Sequence, residues 1–358
     1  MATRKSTSPA NPTTASAAAK AAADKPRSRT GSVTVVDVAR LAGVSAMTVS
    51  RAINKPDGVP PATLAKVQDA VRKTGYVPNL LAGGLRSQKS RLVAALVPTL
   101  TSPVFGETVQ ALTAALDARG YQLMLGQTGY EKSREDDLLG AIIGRRPDGI
   151  VLTGVEHSAQ TRQRLLAARI PVVEMWDLSP SPIDMLVGFS HEAVAAAVGQ
   201  YLLQRGQRNI GVIGGADDRA VRRSNAFVAA ALALGLPRPA VFTTAAPTTL
   251  ASGRQGLQTL LAERPALDAV FCSSDLQALG VLTEAQASGI AVPEQIAVIG
   301  FGDLAFSRDL HPALTTVRID GTRIGREAAR CLVDQVEGIE VTERVIDVGF
   351  SIVERASS

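Results

Sequence analysis

Within ten residues the sequence sets Ser45, Thr48, Ser50 and Asn54 beside Arg51. Short hydroxyl and amide side chains near the start of a helix stand where backbone N–H groups and the helix dipole favour phosphate oxygens. Such contacts position a protein on a duplex without reading its sequence. An arginine on the outer face of the same helix can pair with O6 and N7 of guanine, worth about 1–3 kcal/mol of base discrimination. The chemistry on offer is recognition of a polyanion.

Bond-making chemistry is poorly provided for. The three histidines, His157, His191 and His311, are widely scattered, and no metal-ligand spacing, nucleophile elbow or P-loop occurs. Gly211-Val-Ile-Gly-Gly215 lacks the spacing and the ribose carboxylate of a dinucleotide site and reads as a turn. Asp136-Asp137 falls on a predicted helix surface, where both carboxylates are solvated. No catalytic residue, metal or cofactor is expected. Two distant cysteines, Cys272 and Cys331, argue for a reducing, cytoplasmic compartment and against a disulfide frame.

The elements that must position the polar cluster are three short helices over residues 33–77. Thr34 with Asp37 predicts a capping-box start to a helix ending at Ala42, which Gly43 breaks. Ser45 caps a second helix, 46–54, with Val49 and Ile53 on one face. Pro60-Pro61 opens a third, with Leu64, Val67 and Val71 on one face and Gly75 at its end. Two helices joined by a tight glycine turn are a helix-turn-helix candidate.

Charge supports this reading. The chain carries 38 Lys+Arg against 33 Asp+Glu, a net of +5. Residues 1–32 hold six basic residues and one acid, and residues 33–90 hold eight basic and three acidic, so each stretch is +5 and residues 91–358 are −5. A basic head on an acidic body suits nucleic acid as partner. Residues 1–32 show no apolar periodicity and read as a disordered basic tail; their composition also suits a transit peptide, but no apolar secretory core is present. No apolar run reaches the roughly 18–20 residues that span a bilayer, so no membrane partner is expected.

From Arg91 onward short apolar runs alternate with amphipathic helical segments. The runs are Leu92–Val97, Gln122–Leu125, Gly149–Leu152, Val172–Met175, Ile210–Ile213, Ala269–Phe271 and Ile296–Ile299, with a last one at Val345–Ile352. Alternation of this kind predicts parallel sheets covered by helices. The length of 91–358 calls for two α/β lobes with a cleft, and ligands in such sheets bind beyond the carboxyl ends of the strands.

The segment Asp37-Val-Ala-Arg-Leu-Ala-Gly-Val-Ser-Ala-Met-Thr-Val-Ser-Arg-Ala-Ile-Asn54 resembles the helix-turn-helix of the lactose-repressor (LacI/GalR) family. The resemblance continues through Tyr76-Val-Pro-Asn79, Leu85-Arg86, Ala269-Val-Phe-Cys-Ser-Ser-Asp275, Val298-Ile-Gly-Phe301 and Pro312-Ala-Leu-Thr-Thr316. It implies a helix-turn-helix head (33–77), a hinge (78–90) and a two-lobed body similar to periplasmic binding proteins (91–358) for effector binding and dimerisation. Thr34 and Asn79 stand at the family's phosphate-contact positions. Ala46 and Met47 hold its two base-reading positions, where they can only pack, for instance on a thymine methyl. Leu85 matches the hinge leucine that wedges into the minor groove. Gly83-Gly84 disfavour a preformed hinge helix, so the hinge is expected to order on DNA.

The family's effector positions map onto Ser102, Val104, Phe105, Thr153, Trp176, Arg223, Ser274 and Asp275, with Asp275 equally suited to capping a helix. Most relatives carry an aspartate where this chain has Gly302, with Asp303 one place on. Losing a carboxylate lowers repulsion toward an anion and, with Arg223, favours a sugar acid; alternatively, Asp303 substitutes. Ser102–Glu107, Glu174–Leu178 and Gly300–Asp303 resemble the gluconate-utilisation repressors of the family, which implies gluconate, a close aldonate or its phosphate as effector. No C-terminal heptad is seen, so a homodimer on a pseudo-palindromic double-stranded operator is expected. A sugar-binding protein without DNA function is the rival reading, and residues 33–90 argue against it.

Overall fold

The computed structural model describes residues 33–77 and 89–358. The expectations for the tail 1–32, for Asn79 and Leu85, and for the hinge up to residue 88 lie outside the described residues. The chain divides into two compact units after Arg86.

The first unit holds α1 (Val35–Ala42), α2 (Ala46–Asn54) and α3 (Pro61–Thr74). Asp37 N–H donates to Thr34 Oγ1 and Thr34 N–H to Asp37 Oδ2, a capping box that fixes the start of α1. Gly43 (φ 69°) ends α1 in the left-handed region, and Ser45 Oγ accepts from Thr48 N–H to open α2. Val38, Val49 and Val67, one from each helix, meet at the centre with Ala39, Ala52, Val59 and Ala70. Burying these small side chains fixes the tilt of α2 and leaves its other face to solvent.

The second unit contains two parallel-sheet lobes. The first is built from β1 (Leu92–Val97), α4 (Pro103–Ala118), β2 (Gln122–Gln127), α5 (Lys132–Ile143), β3 (Gly149–Thr153), α6 (Ala159–Ala168), β4 (Val172–Met175) and β5 (Met185–Gly188). The second holds α7 (His191–Gln204), β6 (Ile210–Gly215), α8 (Asp218–Ala233), β7 (Ala240–Thr244), α9 (Leu250–Glu263), β8 (Ala269–Cys272), α10 (Asp275–Ala287), β9 (Ala297–Phe301) and β10 (Thr315–Arg318). The chain then returns through α11 (Gly321–Glu337) to β11 (Val345–Asp347) and β12 (Ser351–Val353).

Both sheets follow one plan. The orders are β2-β1-β3-β4-β5-β11 and β7-β6-β8-β9-β10-β12. Every pairing is parallel except β10 with β12. Central strands are buried over nearly all their length, as continuous aliphatic runs require, whereas the edge strands β2 and β7 mix exposed and sheltered residues.

The structure corrects the strand expectations at four places. The run Val345–Ile352 is two strands in different sheets, broken at Gly349 (φ 69°). β5, β7 and β10 were not expected. β5 is only four residues long, β7 is an alternating edge strand, and β10 is rich in threonine. β7 and β10 form no continuous aliphatic run, whereas Met185–Val187 of β5 is a short one that was passed over.

Among the described residues, five that are not glycine adopt left-handed backbone: Arg91, Arg146, Arg169, Trp176 and Asp303, with φ between 50° and 70°. Each costs about 1–3 kcal/mol. The three arginines precede β1, β3 and β4, at the amino edge of the first sheet. Trp176 and Asp303 follow β4 and β9, at the carboxyl edges.

α9 and α10 cross with backbones in contact. A Cβ on Gly280 would lie 2.1 Å from Leu250 O, and one on Gly253 2.0 Å from Gln277 O. Gly280→Ala is therefore expected to destabilise the chain by about 1–3 kcal/mol through overpacking. Urea unfolding of the full chain checks this; an unchanged midpoint would show that the two helices separate without cost.

Candidate ligand cleft and nucleic-acid face

In the strand order shared by both sheets, the direction of winding reverses between the first and third strands of each lobe, and ligands bind beyond that point. Two adjoining cavities, of about 80 and 130 Å3, lie beyond the carboxyl ends of the strands. The inner one is lined by Ser102, Val104, Phe105, Trp176, Arg223 and Ser274, six of the ten expected effector residues. Thr153 lines the outer one, and its hydroxyl donates to Leu96 O. Tyr130, Asp217 and Arg219 are shared by both.

Arg223, on α8, is the centre of the inner cavity. Its Nη2 donates to Ser273 O (3.0 Å) and Ser273 Oγ (2.6 Å), and its Nη1 contacts His191 Nδ1 at 3.0 Å. The guanidinium stands 3.9 Å from the centroid of Phe301. Burial pushes its pKa down to about 10, so it remains a cation at neutral pH. Burial, and then the charges of Arg223, Arg219 and Arg222, hold His191 well below the usual histidine range. A neutral His191 accepts from Arg223 at Nδ1 and carries its proton on Nε2.

Phe105, Trp176 and Phe189 pack edge to face along the floor, with centroids 5.5 and 6.0 Å apart. The Trp176 ring thus belongs to the core, yet its indole N–H has no hydrogen-bond partner among the described residues. The same holds for Arg223 Nε and His191 Nε2. Three buried N–H groups without acceptors, on residues lining one cavity, suit an acceptor-rich molecule.

Three expected effector residues are placed elsewhere. Asp275 is fully buried, and its oxygens accept from Leu304 N–H (2.7 Å), Ser307 Oγ (2.6 Å) and Thr316 Oγ1. It braces the loop after β9; the helix cap is Ser274, whose Oγ accepts from Gln277 N–H. Asp303 is drawn away by Arg318 and Arg355, each 2.6 Å from a carboxylate oxygen. Gly302 lies behind the lining, where a Cβ would meet Val104 Cγ2 at 3.0 Å. Conversely, His191, Phe189, Arg219, Ser273 and Phe301 line the cavity and were not expected. His191 and Phe189 follow β5, a strand that was not expected.

Contacts also cross the cleft. Arg222 of the second lobe reaches Glu156 (2.6 Å) and Asp177 (3.1 Å) of the first. Burial raises Asp177 to about 6 against the pull of Arg222. Arg219 lies over the Phe105 ring at 5.2 Å.

On the head, α2 presents Met47, 63% exposed, and the exposed Arg51 away from Val49 and Ala52. Ser45 Oγ takes the Thr48 N–H, and the first intrahelical bond runs from Val49 N–H to Ser45 O. The amides of Ala46 and Met47 therefore have no helical partner. Ala46 is half-buried against the head core. Ser50 is half-buried, and Asn54 sits in the last turn, where its Nδ2 donates to Ser50 O at 2.8 Å. Asn54 is thus at the opposite end of α2 from the N-terminal amides. Thr34 Oγ1 donates to Asp37 Oδ2 at 2.7 Å.

Comparison with known proteins places both units. Residues 34–79 match the model of bacterial regulatory proteins of the lacI family, and residues 200–358 match the periplasmic binding protein-like domain. The HTH-type transcriptional regulator GntR of Pseudomonas aeruginosa is 38% identical over 94% of this chain and 98% of its own length. GntR of Escherichia coli K12 is 32% identical over 88% of this chain and 96% of its own. The crystal structure of a lacI-family transcriptional regulator from Silicibacter pomeroyi has a TM-score of 0.86 at 33% identity, over 91% of this chain and 99% of that one.

One buried cluster beside the outer cavity yields a pH expectation. His157 Nδ1 lies 2.7 Å from Glu135 Oε1, and Nε2 lies 3.5 Å from Glu174 Oε1. Burial alone would lower its pKa, but Glu135 and Glu174 override it and raise it to about 9. A raised folded pKa contributes stability that is complete below the unfolded value of 6.5 and is lost as pH rises through about 9. The urea midpoint should therefore fall across that window, and Glu135→Gln should flatten the fall. Equal slopes in both proteins would rule the cluster out.

Proposed function

The chain belongs to the lacI family of bacterial regulatory proteins and is a DNA-binding transcriptional regulator, and on that premise we propose that it represses sugar-acid utilisation genes and is released by gluconate or a close aldonate. Ser45, Thr48 and the open amides of α2 hold phosphate, with Thr34, Ser50, Asn54 and Asn79 supporting. Arg51 reads guanine, while Ala46 and Met47 pack against base edges. Leu85 wedges into the minor groove. Two copies join through their bodies, so the operator is a pseudo-palindrome with half-sites in successive major grooves. The regulator works in the cytoplasm, beside its DNA.

The observation that carries the effector reading is the set of three N–H groups around the buried Arg223 guanidinium that have no hydrogen-bond partner among the described residues. A carboxylate completes Arg223, and hydroxyls accept from Trp176 and His191. Asp303, turned toward Arg318 and Arg355, returns no carboxylate to the place Gly302 leaves empty of one. A ligand bound there touches both lobes and biases their closure. For release, it binds the arrangement that holds DNA poorly more tightly than the one that holds it well.

Fluorescence anisotropy with a palindromic operator at fixed salt tests this, because phosphate contacts make affinity salt-dependent. Nanomolar binding relieved by gluconate is expected. Tight binding indifferent to gluconate would remove the effector, and no duplex binding would remove the operator reading. Arg223→Met should keep operator binding and raise the gluconate needed by at least about tenfold, the effect of losing one charge-assisted hydrogen bond.

A further inference from the structure

The strands of the first sheet run parallel, so their amino ends share one edge, opposite the cleft. Arg145, Arg146 and Arg169 lie along it and are exposed. Arg145 donates to Ala141 O, and none of the three has an acidic partner among the described residues. The acids nearby are otherwise engaged. Asp148 accepts from Ser90 and Arg91 backbone N–H, Glu337 pairs with Arg91 and Arg119, and Asp184 pairs with Arg344. Arg146, Arg169 and Lys89 line one groove at this edge.

Arg146 and Arg169 have φ of 51° and 53°, and Arg169 is the left-handed C-cap of α6. Glycine is the usual residue there, because it alone adopts this backbone freely. Two arginines thus stand at strained positions that any stability criterion would give to glycine. The edge is also where the described part of the second unit begins, with Ser90 and Arg91 held by Asp148.

We infer that this edge is a second DNA contact, in which Arg146 and Arg169 bind the phosphate backbone of the duplex beside the sequence read by the head. The inference rests on the DNA-binding function and adds affinity without specificity.

The test is operator binding by the full chain as a function of salt, with a duplex carrying flanks on both sides of the palindrome. The double variant Arg146→Gly, Arg169→Gly removes the charges and relieves the backbone. It should melt no lower than the parent, yet bind at least about tenfold more weakly at 0.1 M salt, with a salt dependence shallower by roughly one unit per phosphate lost. Arg146→Lys with Arg169→Lys should restore both affinity and slope. Glycine variants that bind as the parent does overturn the inference, as does equal weakening by the lysine pair. If the parent itself fails to bind the duplex, the operator reading falls first and this falls with it.

Discussion

A parallel strand has a head and a tail, and a sheet of such strands has two chemically different edges. Carboxyl ends deliver loops that lead into helix starts, with free N–H groups and small capping side chains. Amino ends receive the chain from the helices. In this body both sheets wind in the same order, and their carboxyl edges line one cleft. Ser102, Ser190, Asp217 and Ser274 are helix N-caps on those loops, so the cleft inherits polar groups from the folding rules themselves.

A buried guanidinium could not stand in such a cleft unaided. Ser273 and the neutral His191 take three of its N–H directions, and the Phe301 face covers one side. What stays open is one N–H edge. Around it the nearby carboxylates are occupied: Asp275 by the loop it braces, Asp303 by two arginines, Asp177 by Arg222, and Asp217, which lines the same cavity, by the Ala220 N–H it caps. The positive charge is left facing the cavity, and that shapes what can bind.

Much of this was legible from residue order. The head helices end where Gly43 and Gly75 said they would, because cap chemistry is local. Continuous aliphatic runs marked the central strands. Part of what escaped was set by distant packing. β10 is short and threonine-rich and owes its strand state to neighbours in the sheet; β5 is a short aliphatic run that went unread, and with it went His191 and Phe189. Gly302 and Asp303 show a second limit: the family resemblance put them at effector positions, whereas Arg318 of β10 and Arg355, beyond β12, decide where the Asp303 carboxylate turns. Trp176 was expected at the effector site; the structure has its ring in the core and its N–H without a partner among the described residues.

The return of the last forty residues has a consequence for how the molecule is made. β11 completes the first sheet beside β5, and α11 packs on α4, so Leu332 and Ile346 close a core begun at Val93. β12 does the same for the second sheet. While the chain is still being synthesised, the first lobe has most of its strands but neither its last edge nor one of its covering helices. Contacts spanning some 240 positions must form late, and topologies of that kind fold slowly and expose apolar surface meanwhile. Neither lobe is therefore an independent folding unit, even though each looks like one in outline.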